Sequence, residues 1–242
     1  KRKFPEVDRE GGSILDKVVL FIVEGATDKR ALESIFKKIY RNRNVHFEFT
    51  HGDITSDETI SKQNVENEIY KYVKSYIDMY NVKKSDFWQI VQIFDTDGAY
   101  VDDSRIVKGE TNEFFYTESE ISCKKPEKIK QRNEHKRELM DYLLGLKEIK
   151  GIPYEGYYMS CNLDHALYGL LNLTDEEKKT YSNKFYDAFW EYPSLFLPFL
   201  EKYVVNGVPN SFSASWRYIK EDGHSLERHT NLNFYFSNHP VL

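Results

Sequence analysis

The stretch KVVLFIVEGATDKRALESIF, residues 17–36, decides how this chain reads. Residues 17–23 are a continuous β-rich run, the pattern of a strand buried on both faces, as in a parallel sheet. Glu24-Gly25 ends it. From there to Tyr40, Ala31, Leu32, Ile35, Phe36 and Ile39 recur at helical spacing. Thr27 or the turn before it would cap that helix, with Asp28 favouring its positive end.

Outward from this strand–turn–helix unit the alternation continues. Residues 45–50 (VHFEFT) alternate as a second strand, and residues 59–80 place Val65, Ile69, Tyr72, Val73, Tyr76 and Ile77 on one side of a long helix. Residues 87–94 (FWQIVQIF) form another β-rich run, closed by Asp95-Thr96-Asp97-Gly98. A short strand is expected at 113–117, a helix at 133–146, a strand at 154–160 and a helix at 163–171. Helices are expected at 175–192, 195–205 and 212–220. The fold class is therefore α/β, a parallel-rich sheet flanked by helices with a helical C-terminal region. Residues 1–16 read as a loose lead-in, 17–172 as the α/β domain and 173–242 as a helical extension packed on it.

Composition narrows the classes. The 242 residues carry 34 Lys+Arg against 39 Asp+Glu, a net charge of −5, which excludes a protein basic over its whole surface. Aromatics at 15% fit a folded chain, not a disordered one. Two cysteines, Cys123 and Cys161, exclude a disulfide scaffold and a Cys-rich zinc site, and neither has a sequence partner that would make it a nucleophile. The longest apolar run, 18–23, falls far short of a membrane span, and the expected location is cytoplasmic. Phe185, Tyr186, Phe189, Trp190 and Tyr192 recur at helical spacing and read as core.

Chemistry concentrates where two apolar strands end in acids. In open α/β sheets functional groups gather beyond the carboxyl ends of the strands, which places Glu24 at one strand end and Asp95 and Asp97 at another. Asp95 and Asp97 are two apart, so an extended segment would present both to one side. Grouped carboxylates make a hard oxygen site suited to Mg²⁺ or Mn²⁺.

The segments VVLFIVEGATDKRALESIF (18–36) and QIVQIFDTDGAY (89–100) resemble the TOPRIM domain shared by topoisomerases, bacterial primases, OLD-family nucleases and small RNA-maturation nucleases. The marks are a strand, Glu-Gly, a helix, and later a strand ending in Asp-x-Asp. They cover residues 17–117, with weaker agreement to about 170. Residues 157–171 (YYMSCNLDHALYGLL) are similar to a strand-then-helix segment of OLD-like and RloB-like nucleases, with Asp164 in the acidic slot and no proline.

The resemblance implies a metal-dependent nuclease of DNA or RNA, a prokaryotic anti-phage, abortive-infection effector working with a separate ATPase, since no P-loop is present. It implies Glu24 as general acid/base or second-metal ligand, Asp95 and Asp97 as Mg²⁺ ligands, Asp164 as a further ligand, and Lys220 as the catalytic lysine. Asp102 and Asp103 would support the metal from behind. Lys124, Lys125 and Lys128, in the basic stretch 124–137, are the expected nucleic-acid contacts, with Arg217 and Arg228 as phosphate partners. His165 reads as structural. Two other readings compete: a primase-like nucleotidyl transferase, although the zinc-binding segment usual in primases is missing, and a non-catalytic TOPRIM-like module that docks on a partner.

Overall fold

The computed structural model describes residues 17–43 and 45–240; the expected lead-in at 1–16 lies outside the described residues. In chain order the elements are β1 (Lys17–Val23), α1 (Ala26–Ile39), β2 (Val45–His51), α2 (Val65–Tyr80), β3 (Phe87–Asp95), β4 (Ile106–Lys108), β5 (Phe115–Tyr116), β6 (Ile121–Cys123), α3 (Pro126–Leu144), β7 (Glu148–Ile149), β8 (Ile152–Met159), α4 (Leu163–Tyr168), α5 (Asp175–Trp190), α6 (Phe196–Tyr203), α7 (Phe212–Ile219) and α8 (Asn233–Asn238). The main sheet has the order β2-β1-β3-β8-β7. Its first four strands are mutually parallel and β7 runs antiparallel along the start of β8. A small sheet, β4-β6-β5, stands apart from it.

Alternation along β1 explains why the strand is apolar throughout. Val19, Phe21 and Val23 enter one core with residues of α1, α5, α6 and α8. Val18, Leu20 and Ile22 enter a second core with Val65, Ile69 and Val73 of α2, Leu139, Met140 and Leu143 of α3, and Trp216 and Ile219 of α7. Each residue from Val18 to Val23 is thus needed by one face or the other.

Local chemistry moves several boundaries. Helix α2 starts at Val65, not at 59, because the Asp57 carboxylate accepts from Thr59 N (2.8 Å) and the Asn64 amide oxygen accepts from Ser61 N (2.6 Å), tying the lead-in into turns. Helix α3 starts at Pro126, not at 133, with the proline at the first helical position, where a missing N–H costs nothing. The basic stretch is therefore helical. Of the five aromatics expected in the core, Phe185 and Phe189 are buried, four apart on the inner face of α5. Trp190 and Tyr192 are exposed, and Tyr186 stacks on Trp190 at 5.0 Å, beneath the Lys38 ammonium.

The C-terminal region does more than cover the domain. Leu232, Tyr235 and Phe236 lie in the same core as β1. Thr230 forms an antiparallel bridge with Met159 at the end of β8, and Asn231 Oδ1 accepts from Tyr158 N at 2.9 Å. No helix among the described residues is long and apolar enough to cross a membrane.

Candidate active site

The carboxyl ends of β1 and β3 lie side by side, so Glu24 and Asp95 meet directly. Glu24 Oε1 accepts from Asp95 N (3.2 Å) and from Thr55 Oγ1 (3.1 Å), the latter on the loop after β2. Asp95 Oδ1 accepts from Leu163 N at 3.0 Å, at the start of α4. Asp97 is not the second of an extended pair. Its φ of +48° places it in the left-handed region, which aspartate tolerates in turns. The turn aims its carboxylate at α3, where Arg132 Nη1 lies 3.5 Å from Oδ2 and Arg132 Nη2 donates to the Asp97 carbonyl at 2.9 Å.

Gly25 serves its turn without a positive φ: its φ is −114°. Its N–H donates to Asp28 Oδ2 (2.8 Å), and a Cβ there would lie 3.0 Å from that same oxygen. Glycine thus lets Asp28 fold back over the start of α1, which buries a further acid beside Glu24 and Asp95.

The residue that organises these acids is Lys136. Its side chain is wholly buried, with Nζ 3.1 Å from both oxygens of Glu24, 3.3 Å from Ser56 Oγ, and paired with Asp97 Oδ2. It sits on the inward face of α3 with Ile129, Asn133, Leu139, Met140 and Leu143. A lysine three and four residues before Leu139 and Met140, in an otherwise largely apolar stripe, is the available sequence signal.

Charge is unbalanced here. Burial raises the Glu24 carboxyl to about 8, opposed by Lys136 and reinforced by Asp97 and Asp53. Burial raises Asp95 well above the ordinary range, with Glu24, Asp28 and Asp97 adding to the effect. At Asp97 burial also pushes upward, but Lys136 and Arg132 outweigh it and hold the carboxyl below its usual value. Lys136 stays charged because Asp97, Glu24 and Asp53 overcome the cost of its burial.

The other expected residues divide clearly. Asp164 is buried near this edge: burial lifts its carboxyl to about 6, opposed by Lys178 (3.7 Å) and reinforced by Asp28, and its Oδ1 has no partner. Lys220, expected as the catalytic lysine, instead follows the last turn of α7 and pairs with the exposed Asp141 of α3 at 2.6 Å; Lys136 takes the place beside the acids. Asp102 caps Ser104 at 2.9 Å and Asp103 pairs with Lys130 at 3.3 Å, both in an exposed turn away from the acids. Arg228 donates to the carbonyls of Ala166 (3.0 Å) and Leu167 (3.1 Å), capping α4. Arg217 is exposed on α7. Lys124, Lys125 and Lys128 are exposed around the start of α3, and Lys128, Arg132 and Lys136 follow at four-residue steps from solvent to the buried acids. His165 is buried, 3.6 Å from Glu118.

No family model, no curated protein and no solved structure matches this chain.

Proposed function

We propose that the chain is a TOPRIM-type, metal-dependent nuclease that cleaves phosphodiester bonds of DNA or RNA at the ends of β1 and β3. The observation that carries this reading is the convergence of buried Asp28 and partly buried Glu24, Asp95 and Asp97 on one strand edge with a single buried lysine inserted between Glu24 and Asp97. The donors are the carboxylate oxygens that a hard divalent cation takes, and burial together with neighbouring acids raises Glu24 and Asp95; no three of these acids bring donor atoms within 4.8 Å of one another, so they would have to close on the ion. Glu24 and Asp95 would hold Mg²⁺ or Mn²⁺, with Asp97 retained by Lys136 and Arg132. When bound, the metal supplies Lewis-acid polarisation of the phosphodiester.

The chain's own groups do the rest. Where Glu24 does not itself hold the ion, its carboxyl, raised to about 8 by burial, takes up or releases a proton near neutral pH as general acid or base. Lys128 and Arg132 draw a phosphate backbone along α3 toward the acids. A role in prokaryotic anti-phage defence with a separate ATPase remains part of the proposal through the TOPRIM resemblance alone.

One observation favours a non-catalytic docking module instead: the Lys136 ammonium already bridges Glu24 and Asp97 where a cation would sit. Cleavage of a mixed panel of single- and double-stranded DNA and RNA with Mg²⁺ or Mn²⁺ separates the two. Glu24→Gln and Asp95→Asn should each lower the rate by at least about 10²–10³-fold, the scale for losing one group that stabilises developing charge. Undiminished cleavage in both variants would overturn the nuclease reading. No Mg²⁺ binding by calorimetry at millimolar metal would support the docking module.

A further inference from the structure

A second cluster lies in the loop before α8, outside the acidic edge. His224 Nδ1 is 2.8 Å from Glu227 Oε2, and His229 Nε2 is 3.0 Å from the same oxygen. Among the described residues this is the one group of three His, Cys, Asp or Glu whose donor atoms all lie within 4.8 Å of one another. Tyr218 adds a hydroxyl 3.2 Å from His229 Nε2, and its ring stacks on His224 at 3.8 Å.

We propose that His224, Glu227 and His229 form a mononuclear site for a borderline divalent transition metal of the Zn²⁺ class. Two imidazoles and a carboxylate are the ligand types such an ion takes, whereas Mg²⁺ prefers oxygen alone. The spacing agrees in magnitude. Bonds of about 2.0–2.2 Å in a tetrahedral site separate donor atoms by roughly 3.3 Å, so the observed 2.8 and 3.0 Å need to open by only a few tenths of an ångström. Hydrogen bonding explains the cluster less well. His229 Nε2 faces two oxygens, and one N–H serves one of them. With Nε2 on a metal the ring proton moves to Nδ1, which is buried and faces no acceptor, so the site would hold His229 without the outer hydrogen bond that usually orients a ligating imidazole.

The backbone of the loop is already fixed, so metal binding would order little. The His224 carbonyl accepts from Ser160 Oγ (2.8 Å) and the His229 carbonyl from Ser160 N (2.9 Å). The Ser225 carbonyl accepts from Cys161 N and Thr96 Oγ1, both at 2.9 Å. Thr96 stands between Asp95 and Asp97, so a metal at His224, Glu227 and His229 braces the turn that carries both acids. Its role is structural.

The test is titration of the metal-stripped full chain with ZnCl₂ by calorimetry, and with CoCl₂ by visible absorption. One Zn²⁺ per chain is expected, with ligand-field bands for Co²⁺ and a higher melting temperature on Zn²⁺ addition. The Glu24→Gln/Asp95→Asn variant should bind it equally, which separates this site from the acidic edge and leaves the outcome independent of the nuclease reading. His224→Ala and Glu227→Gln, at partly exposed positions, should each weaken Zn²⁺ by more than the roughly 10–100-fold expected for an outer contact. The assignment is overturned if Zn²⁺ fails to bind at tens of micromolar. It is equally overturned if binding survives His224→Ala and Glu227→Gln but is lost with Glu24 and Asp95.

Discussion

Two regions built on the same strand hold together by opposite means. On one face of β1, Phe21 stacks on Phe49 (4.6 Å between ring centres) and meets Phe36 (4.8 Å) and Tyr235 (5.2 Å). Every one of these rings is buried, and the layer needs no charge to stay in place. One residue past the end of that strand, Glu24 joins Asp28, Asp95 and Asp97; the ammonium of Lys136 bridges Glu24 and Asp97, and backbone N–H groups hold Asp28 and Asp95. The aromatic layer gains from dehydration. The acidic edge loses by it and keeps its geometry only through pairing and proton uptake. Such an edge is suited to binding a cation, since an added cation relieves what burial imposes.

The sharpest way to break this comparison is to remove one organiser from each region. Phe36→Ala should cost about 3–5 kcal/mol in denaturant unfolding, the range for deleting a buried Phe side chain. Lys136→Ala should cost a similar amount near pH 8, about 3–5 kcal/mol, because it strands paired carboxylates in the interior. The two losses should then part company: acidification or millimolar Mg²⁺ should recover much of the Lys136→Ala loss and none of the Phe36→Ala loss. Equal responses of both variants to Mg²⁺ would erase the distinction.

A smaller effect is expected from pH alone. Glu24 holds its proton to about 8 in the folded chain against 4.5 as its ordinary value, and Asp164 to about 6 against 3.8. The folded chain therefore carries the extra protons across those intervals, and stability falls as pH rises through them. The depressed Asp97 carboxyl acts in the opposite sense below 3.8, outside this window, and His165, which burial lowers from 6.5, opposes the decline only in its lower part. Melting temperatures in chelator between about pH 5 and 8 should decline, and Glu24→Gln should flatten the decline. A rising curve would show that the acids are not short of positive charge.

The smallest effect belongs to the other lysine. Lys220 pairs with Asp141 at a half-exposed position, and Lys220→Ala should change stability by less than about 1 kcal/mol. Its cleavage rate should match the unaltered chain, whereas Lys136→Met should not. If Lys220→Ala abolished cleavage, the assignment of the buried lysine would be reversed.

The legible part of the site was what strand ends carry. Glu24 and Asp95 follow apolar runs directly, so their position at the sheet edge was readable without coordinates. Asp28 was read as favouring the helix start, which it does through Gly25, but its burial beside Asp95 depends on β1 and β3 being neighbours. Lys136 lies inside the helix expected at 133–146, three and four residues before Leu139 and Met140, but a lysine among charged residues reads as solvated until its helical face is known. The loop 224–230 carried no periodic signal, since its three candidate ligands are spaced for a turn that only the end of β8 holds in shape.

The sequence by itself determined the alternation of strands and helices and the placing of acids at two strand ends. These follow from local periodicity and from the need to bury apolar side chains. Tertiary structure alone decided which cation enters the acids, which helix face becomes interior and how the loop carrying His224 and His229 is held against the end of β8. Those outcomes depend on contacts between residues such as Glu24 and Lys136, 112 positions apart, whose energy appears only when the chain has closed around them.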